Sequence, residues 1–411
     1  MHLARAVERA VRNDGRRVLA GLIRLTGDFD AAEDALQEAY ARALSTWRDD
    51  GIPANPGAWL NTVARRIAID RMRRDRRVEL PKDLAVEPEE TVDPDPSGIE
   101  DDRLRLLFVC CHPALAPDAR CALALRMLGG LTTREIARAF VEPEATTAQR
   151  IVRAKKKIRE AKIPYEVPPR AKLPERIDTV LSVLYFIFNE GYASTDAPLL
   201  LRPDLAREAI RLARLAVDVL PGSNEAHGLL ALMLITDARR EARVSTEGEL
   251  VPLDEQDRSR WDRAQIAEGV AVLDAALARR EPGPYQIQAA IAALHSTATS
   301  SAGTDWPQIS LLYRKLLEMI PTSVIELNAA IAHSFVNGPE ASLEAIARIE
   351  QRGDLADYHL LPASKAALLL RAGRREEAAE AYRAALALVT NTAERRYLER
   401  RLVEATGGRS G

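Results

Sequence analysis

Cys110, Cys111, His112 and Cys121 set three thiols and an imidazole within a dozen residues, a donor set of the kind that holds zinc. Asn189 and Glu190, with Asp257, Arg258 and Arg260, offer amide, carboxylate and guanidinium groups, and His227, His295, His333 and His359 are potential proton carriers. None of these falls into a working spacing. The histidines stand singly along helical stretches, and Leu106 to Cys111 is an apolar run in which thiols read as small packed hydrophobes. The Asp257 to Trp261 motif reads as a turn buttressed by ion pairs. The chain has no phosphate loop and no nucleophile beside a base. The expectation is therefore no enzyme, no cofactor and no metal.

A different chemistry is concentrated elsewhere. Thr146 to Lys162 (TTAQRIVRAKKKIREAK) carries seven Lys or Arg against one acid, and Ala64 to Arg77 (ARRIAIDRMRRDRR) seven Arg against two Asp. The whole chain has a formal net charge of only −2, so these are local concentrations suited to phosphates. Between them, Arg76 to Arg103 turns acidic and proline-rich without periodicity, which reads as an extended linker.

The elements that would position these cations are helical. Ala, Leu, Arg and Glu dominate the composition, and 411 residues imply two or three domains. Three cysteines cannot form a disulfide framework. The apolar runs are shorter than a membrane span, and Leu3 to Arg17 is too charged for a signal peptide. The expectation is a soluble cytoplasmic protein with no membrane association.

Thr132 and Glu135 form a capping box at a helix start, with Ile136, Ala137 and Phe140 as its apolar stripe. After Val141-Glu142-Pro143, with Pro143 expected as the first residue of the next helix, Ala148, Ile151, Val152 and Ile158 share one face. Thr146, Gln149, Arg150, Arg153, Lys156 and Lys157 fall on the other. Two short helices, the second apolar inside and basic outside, describe a helix-turn-helix.

Upstream, Asp30 begins an amphipathic helix with Ala35, Leu36, Ala39, Tyr40 and Ala43 or Leu44 inside and Glu33, Asp34, Gln37 and Glu38 outside. The next helix alternates Trp59, Leu60, Val63, Ile67 and Met72 with Asn61, Arg65, Arg66 and Arg73.

These residues resemble a family. Asp34-Ala35-Leu36-Gln37-Glu38 and Ala58-Trp59-Leu60…Ala64-Arg65…Ala68-Ile69-Asp70-Arg71 look like region 2 of bacterial extracytoplasmic-function (ECF) sigma factors. Gly130-Leu131-Thr132-Thr133-Arg134-Glu135-Ile136-Ala137 with Arg150-Ile151-Val152-Arg153-Ala154-Lys155 looks like region 4. The resemblance covers about the first 165 residues in the family's order.

The resemblance implies that Asp34, Gln37 and Glu38 dock on the clamp helices of the largest subunit of core RNA polymerase. Asn61, Arg65 and Arg66 would meet the melted −10 strand near a base pocket at loop Asp49 to Gly57, with Arg73 and Arg74 on phosphates. Trp59 is expected to fix the helix start rather than stack on a base. Thr146, Gln149, Arg150, Arg153, Lys156 and Lys157 would read the −35 element of promoter DNA, with region 4 near the polymerase flap. The acidic linker would run toward the RNA exit path. Pro143 and Ala148 depart from the family pattern, in which a Ser caps the recognition helix and a Lys often follows the Thr.

The expected organisation is all-α: region 2 over 1–77, linker over 78–103, region 4 over 104–165 and a C-terminal helical array over 174–408. In that array Ala209…Ala213…Ala216-Val217…Pro221, Tyr313…Leu316-Leu317…Pro321 and Gly373…Ala378…Tyr382…Ala385-Leu386…Thr390 are mutually similar. The intervals Pro221 to Pro321 and Pro321 to Thr390 approximate three and two tetratricopeptide periods, with Thr236 to Trp261 as an insertion. A degenerate tetratricopeptide-like array with a concave binding groove is expected.

Phe188-Asn189-Glu190-Gly191-Tyr192, Asp257-Arg258-Ser259-Arg260-Trp261-Asp262 and Gly283-Pro284-Tyr285-Gln286 resemble the C-terminal domain of the ECF group designated ECF42. That resemblance implies regulation in cis, with DGPF-type proteins as candidate regulatory partners. The alternative is a helix-turn-helix regulator acting without polymerase, its array binding an effector or a protein.

Overall fold

In the computed structural model the described residues are 2–79, 102–140, 142–165, 168, 172, 174–192 and 202–407. Among them the regular structure is helical, apart from one isolated antiparallel bridge between Val244 and Leu250. The segment expected as an acidic linker, over its residues 80–101, and the Pro169 boundary lie outside the described residues. No helix among the described residues is long and apolar enough to cross a membrane.

The chain divides into two compact units, Met1–Phe186 and Ile187–Gly411. The first begins with α1 (His2–Thr26), α2 (Phe29–Asp49) and α3 (Pro56–Glu79), which pack on one another. Asp28 starts α2 by accepting the Asp30 and Ala31 amides at 2.8 and 2.9 Å. Asn55 does the same for α3, its side chain accepting the Ala58 amide at 3.0 Å. Leu22, Ile23, Ala32, Ala35, Ala39, Leu60 and Ala64 close the bundle. Ala43 is the inward residue of the expected pair, and Leu44 faces solvent. Trp59 is half-buried, edge-on to the buried Trp47 at 5.4 Å, which fits a Trp that fixes the helix start.

There follow α4 (Asp102–Cys110), α5 (Pro117–Met127), α6 (Thr133–Ala139), α7 (Glu144–Glu160) and α8 (Pro174–Tyr192). Every residue of α4 from Leu104 on is buried, and Cys110 and Cys111 lie in that core. Burial pushes both thiols up, away from the thiolate that would bind metal or react. Tyr165 fastens the end of this segment by donating to the Ala20 and Asp102 carbonyls at 3.2 and 3.0 Å. The division between units falls inside α8, between Phe186 and Ile187.

The second unit holds α9 (Pro203–Val219), α10 (Asn224–Asp237), α11 (Arg263–Leu277), α12 (Pro284–Thr297), α13 (Trp306–Met319), α14 (Ser323–Asn337), α15 (Pro339–Gln351), α16 (Leu360–Arg371), α17 (Arg375–Leu388) and α18 (Thr392–Ala405). Each helix packs on the next, and α10 also packs on α12. Between Leu229 and Ile235 every residue of α10 is buried, so the helix has no polar face and sits at the centre of its unit. Gly228 lets α12 approach: a Cβ there would lie 2.6 Å from the Gln286 amide nitrogen.

The three similar segments seen in the sequence are α9, α13 and α17, and of these α13 packs on the preceding α12 and α17 on the preceding α16. The interval from Pro221 to Pro321 contains two hairpins, α10–α11 and α12–α13, plus the insertion, and not three repeat units. The period count misled because the insertion adds most of one repeat length. That insertion is ordered, with one-turn helices at 240–242 and 258–260. The last helix returns to it: Arg400 pairs with Glu249 at 2.7 Å and Glu255 at 3.1 Å, and Arg396 donates to the Glu247 carbonyl at 2.8 Å.

Candidate nucleic-acid interface

The basic faces are built on helices whose opposite sides are apolar. On α3, Leu60, Ala64, Ile67 and Ala68 face the core. Arg65, Arg66 and Arg73 are exposed on the opposite pole. None of these three has an ion pair or hydrogen bond among the described residues. Asn61 is half-buried at one margin of this face. Arg74 lies at the other and donates to the Asp70 carbonyl of its own helix at 3.3 Å. The preceding loop, 49–57, is largely exposed and turns through Gly51 at a φ of 87°.

The acidic and amide patch of α2 borders α3. Asp34 and Gln37 are exposed, and Glu38 is half-buried. Arg71 reaches across from α3 to Glu38 at 2.8 Å and Asp34 at 3.6 Å, and Arg42 holds Glu38 from the next turn at 2.6 Å. Desolvation raises the Glu38 carboxyl, but the two guanidiniums outweigh it and hold it below the ordinary carboxylate range. The three residues thus remain one surface, with Glu38 fixed and the other two presented.

The helix-turn-helix is α6 and α7. Its capping box forms as expected: the Thr132 amide donates to Glu135 at 2.6 Å and the Glu135 amide to the Thr132 hydroxyl at 3.2 Å. Pro143 is the N-cap of α7 rather than its first helical residue. The buried stripe is Thr147, Ile151, Ala154 and Ile158, whereas Val152 is 63% exposed. The stripe is rotated because Thr147, although polar, turns inward and donates to the Glu142 carboxylate. Once that hydroxyl is satisfied, the 147/151/154/158 spacing is the regular one and Val152 falls outside it.

Thr146, Gln149, Arg153, Lys156 and Lys157 share the exposed face of α7. Lys156 also pairs with Glu160 at 3.5 Å, an exposed pair of little strength. Arg150 differs from them. It makes a two-pronged bond to Glu142, both distances 2.6 Å, and lies over the Phe140 ring at 5.5 Å. A groove of about 370 Å³ runs between the 114–119 segment and α7, lined by Leu115, Thr146, Gln149, Arg150, Arg153 and Lys157.

Two cations of the basic run that the sequence did not single out are used inside the unit. Lys155 bonds Asp30 at 3.0 Å and also Glu33, and Arg159 lies near Asp28 and Asp30 at 3.7 and 3.8 Å. Arg126 adds a longer contact to Glu33 at 3.8 Å, and Arg16 donates to the Gly129 carbonyl at 3.1 Å. The acids at the start of α2 thus hold the helix-turn-helix against the first bundle. The sequence carried one usable signal, since Lys155 lies outside the face shared by Gln149 and Arg153.

The Asp257 motif buttresses a turn by a different route from the ion pairs expected. Asp257 caps the 258–260 turn through the Ser259 amide at 2.9 Å, and Arg258 donates to the His295 and Ala298 carbonyls at 2.9 and 2.7 Å. Among the described residues no group of three or more His, Cys, Asp or Glu side chains is placed to hold a metal ion.

Comparison with known proteins divides the chain in the same order. Sigma-70 region 2 matches residues 10–78, sigma-70 region 4 matches residues 105–158, and a family of unknown function (DUF6596) matches residues 176–277. An uncharacterized protein of Rhizobium meliloti is 42% identical over 393 residues, 94% of this chain and 92% of that protein. The ECF RNA polymerase sigma factor SigL of Mycobacterium tuberculosis is 33% identical over 132 residues, 31% of this chain and 73% of that protein. The probable ECF RNA polymerase sigma factor SigI of the same species is 32% identical over 152 residues, 36% of this chain and 52% of that protein. No solved structure matches the chain.

Proposed function

The chain belongs to the family of ECF RNA polymerase sigma factors, and from that premise we propose that residues 1–165 bind core polymerase and direct promoter-specific initiation. A sigma factor is an initiation factor and not an enzyme. The observation that carries the reading is the pairing of two separate cationic faces without partners among the described residues, Arg65, Arg66 and Arg73 on α3 and Arg153 and Lys157 on α7. One such face would serve any DNA-binding protein; two, beside a fixed acidic and amide surface, suit a factor that holds two promoter elements and a polymerase.

In this reading Asp34, Gln37 and Glu38 meet the clamp helices of the largest polymerase subunit. Asn61, Arg65, Arg66, Arg73 and Arg74 take the melted −10 strand, whose exposed backbone rewards unpaired guanidiniums. Thr146, Gln149, Arg153, Lys156 and Lys157 enter the −35 major groove, while Arg150 acts from the flank with its carboxylate partner. The linker over 78–103 connects the two readers, and the helical domain over 174–408, read as a tetratricopeptide-like array, regulates them in cis. A protein of the DGPF type is the candidate partner of that array, on the resemblance alone. The site of action is the cytoplasm, where polymerase and promoter are.

Run-off transcription with purified bacterial core polymerase, on the promoter of this chain's own gene and its neighbours, tests the reading. A specific transcript that requires this protein supports it. No transcript and no co-elution with polymerase would transfer the proposal to a free-standing helix-turn-helix regulator. The cis role needs chains ending at Lys172 and at Phe186, because the first unit continues to Phe186. Full, still regulated activity of both truncations would remove it.

A further inference from the structure

The second unit contains a cluster of cations that have no carboxylate partner among the described residues. Trp261, 3% exposed, is surrounded by three guanidiniums: Arg258 at 4.5 Å, Arg263 at 5.6 Å and Arg239 at 6.0 Å from its ring centre. None of the three has a carboxylate partner among the described residues. The nearby buried carboxylate, Asp237, is already taken by Arg240 at 2.7 Å and Gln265 at 3.2 Å.

Two of the cations have a structural occupation. Arg258 donates to the carbonyls of His295 and Ala298 at the end of α12, and Arg263 to those of Ser296 and Arg258 at 3.3 and 3.2 Å. The negative end of α12 therefore accounts for part of their charge. Arg239 has no such occupation. It is 8% exposed, its side chain makes no hydrogen bond among the described residues, and its Nε is buried without a partner there.

Two further buried donors at the same place are also unmatched. The Trp261 indole Nε1 and the Ser296 hydroxyl have no hydrogen-bond partner among the described residues. Buried polar groups in folded proteins are satisfied almost without exception, and a buried N–H of a charged group left unmatched is among the costliest. All three groups can donate, and the field around them is positive. His295, beside Arg239 and Arg258, is held neutral by burial and by those guanidiniums.

We propose that Arg239, Arg258, Trp261 and Ser296 form a binding site for a small oxyanion, a phosphate or a carboxylate. The flat guanidiniums suit either group, and an indole N–H with a hydroxyl supplies the remaining donors. The site lies wholly in the C-terminal unit and is independent of the promoter-reading faces. A free phosphate would make this unit a sensor of a small molecule. A carboxylate would make it the seat of an acidic side chain of a protein partner.

The test is titration of the full-length chain with inorganic phosphate and, in parallel, with succinate, read by calorimetry and by melting temperature in HEPES buffer. The expected result is saturable binding of at least one probe with a rise in melting temperature. Binding should weaken tenfold or more in Arg239→Met and Arg258→Met and several-fold in Ser296→Ala, and should stay unchanged in Arg214→Met, which breaks only an exposed pair with Glu268.

Preference for phosphate over succinate, or the reverse, identifies the source. Without either probe, Arg239→Met should melt no lower than the wild-type chain, because it removes a charge that has no carboxylate or hydrogen-bond partner among the described residues. Should Arg239→Met not fold, Arg258→Met and Ser296→Ala carry the comparison. Absence of binding by both probes, or equal binding by wild-type and Arg239→Met chains, would overturn the proposal.

Discussion

Lys155 of α7 bonds both Asp30 and Glu33 of α2, the latter 122 residues away in sequence. Its side chain is only 13% exposed, so the pair is shielded and removing one partner strands charge. Lys155→Met should therefore lower the stability of the first unit by about 1–3 kcal/mol. Lys156→Met, which breaks an exposed pair on the same helix, should change it by less than about 0.5 kcal/mol. Urea denaturation of the two variants makes the comparison, and equal effects would mean that Lys155 is an ordinary surface charge.

Arg150 and Arg153 differ by one turn and should differ in phenotype. Arg153→Ala should weaken promoter binding, reduce the salt slope by about 1 and leave stability unchanged. Arg150→Ala should also cost about 1–3 kcal/mol of stability, because it leaves Glu142 half-buried without its guanidinium. Melting curves and salt-dependent binding, measured on both variants, separate the roles.

On α2 the expected split runs between Asp34 and Gln37 on one side and Glu38 on the other. Alanine at Asp34 or Gln37 should lower affinity for core polymerase while changing stability by no more than about 0.5 kcal/mol. Alanine at Glu38 should lower both, because it releases Arg42 and Arg71 together. Polymerase affinity that is indifferent to all three would contradict the proposed docking surface.

His295 makes the stability of the second unit depend on pH. Burial first, and then Arg239 and Arg258, push its imidazole down to about 4 from 6.5. The unfolded chain thus takes up a proton between these values that the folded chain refuses. The contribution is complete above about pH 6.5 and is lost as the pH falls towards 4, by roughly 3 kcal/mol in total. Denaturation series at pH 7, 5.5 and 4.5 should show the decline in the wild type and a flatter profile in His295→Gln. Identical profiles would show that the ring is not desolvated as described.

Gly228→Ala sets helix propensity against packing. The substitution gains up to about 1 kcal/mol of propensity in α10. It also drives a methyl group to 2.6 Å from the Gln286 backbone nitrogen, and overpacking typically costs about 1–3 kcal/mol. Net destabilisation is expected, and a higher melting temperature would show that α12 can shift.

Features fixed by near neighbours were legible in the sequence. The Thr132–Glu135 box needs only three intervening bonds' worth of chain, and the helical class follows from composition and period. The alternation on α3 put Arg65, Arg66 and Arg73 on its exposed pole, since Leu60, Ala64 and Ile67 leave one choice of inside. Where a polar residue competes for the inside, period alone fails: Thr147 displaced Val152 because Glu142 stood ready to accept its hydroxyl.

The tertiary structure decided which charges are free. Seven cations between Thr146 and Lys162 look alike in sequence, yet among the described residues Arg150, Lys155 and Arg159 are engaged by carboxylates while Arg153 and Lys157 are not. The unmatched Arg239 beside Trp261 was equally invisible. A charge is spent or available according to what lies within a few ångströms of it, and that distance is set by folding, not by position in the chain.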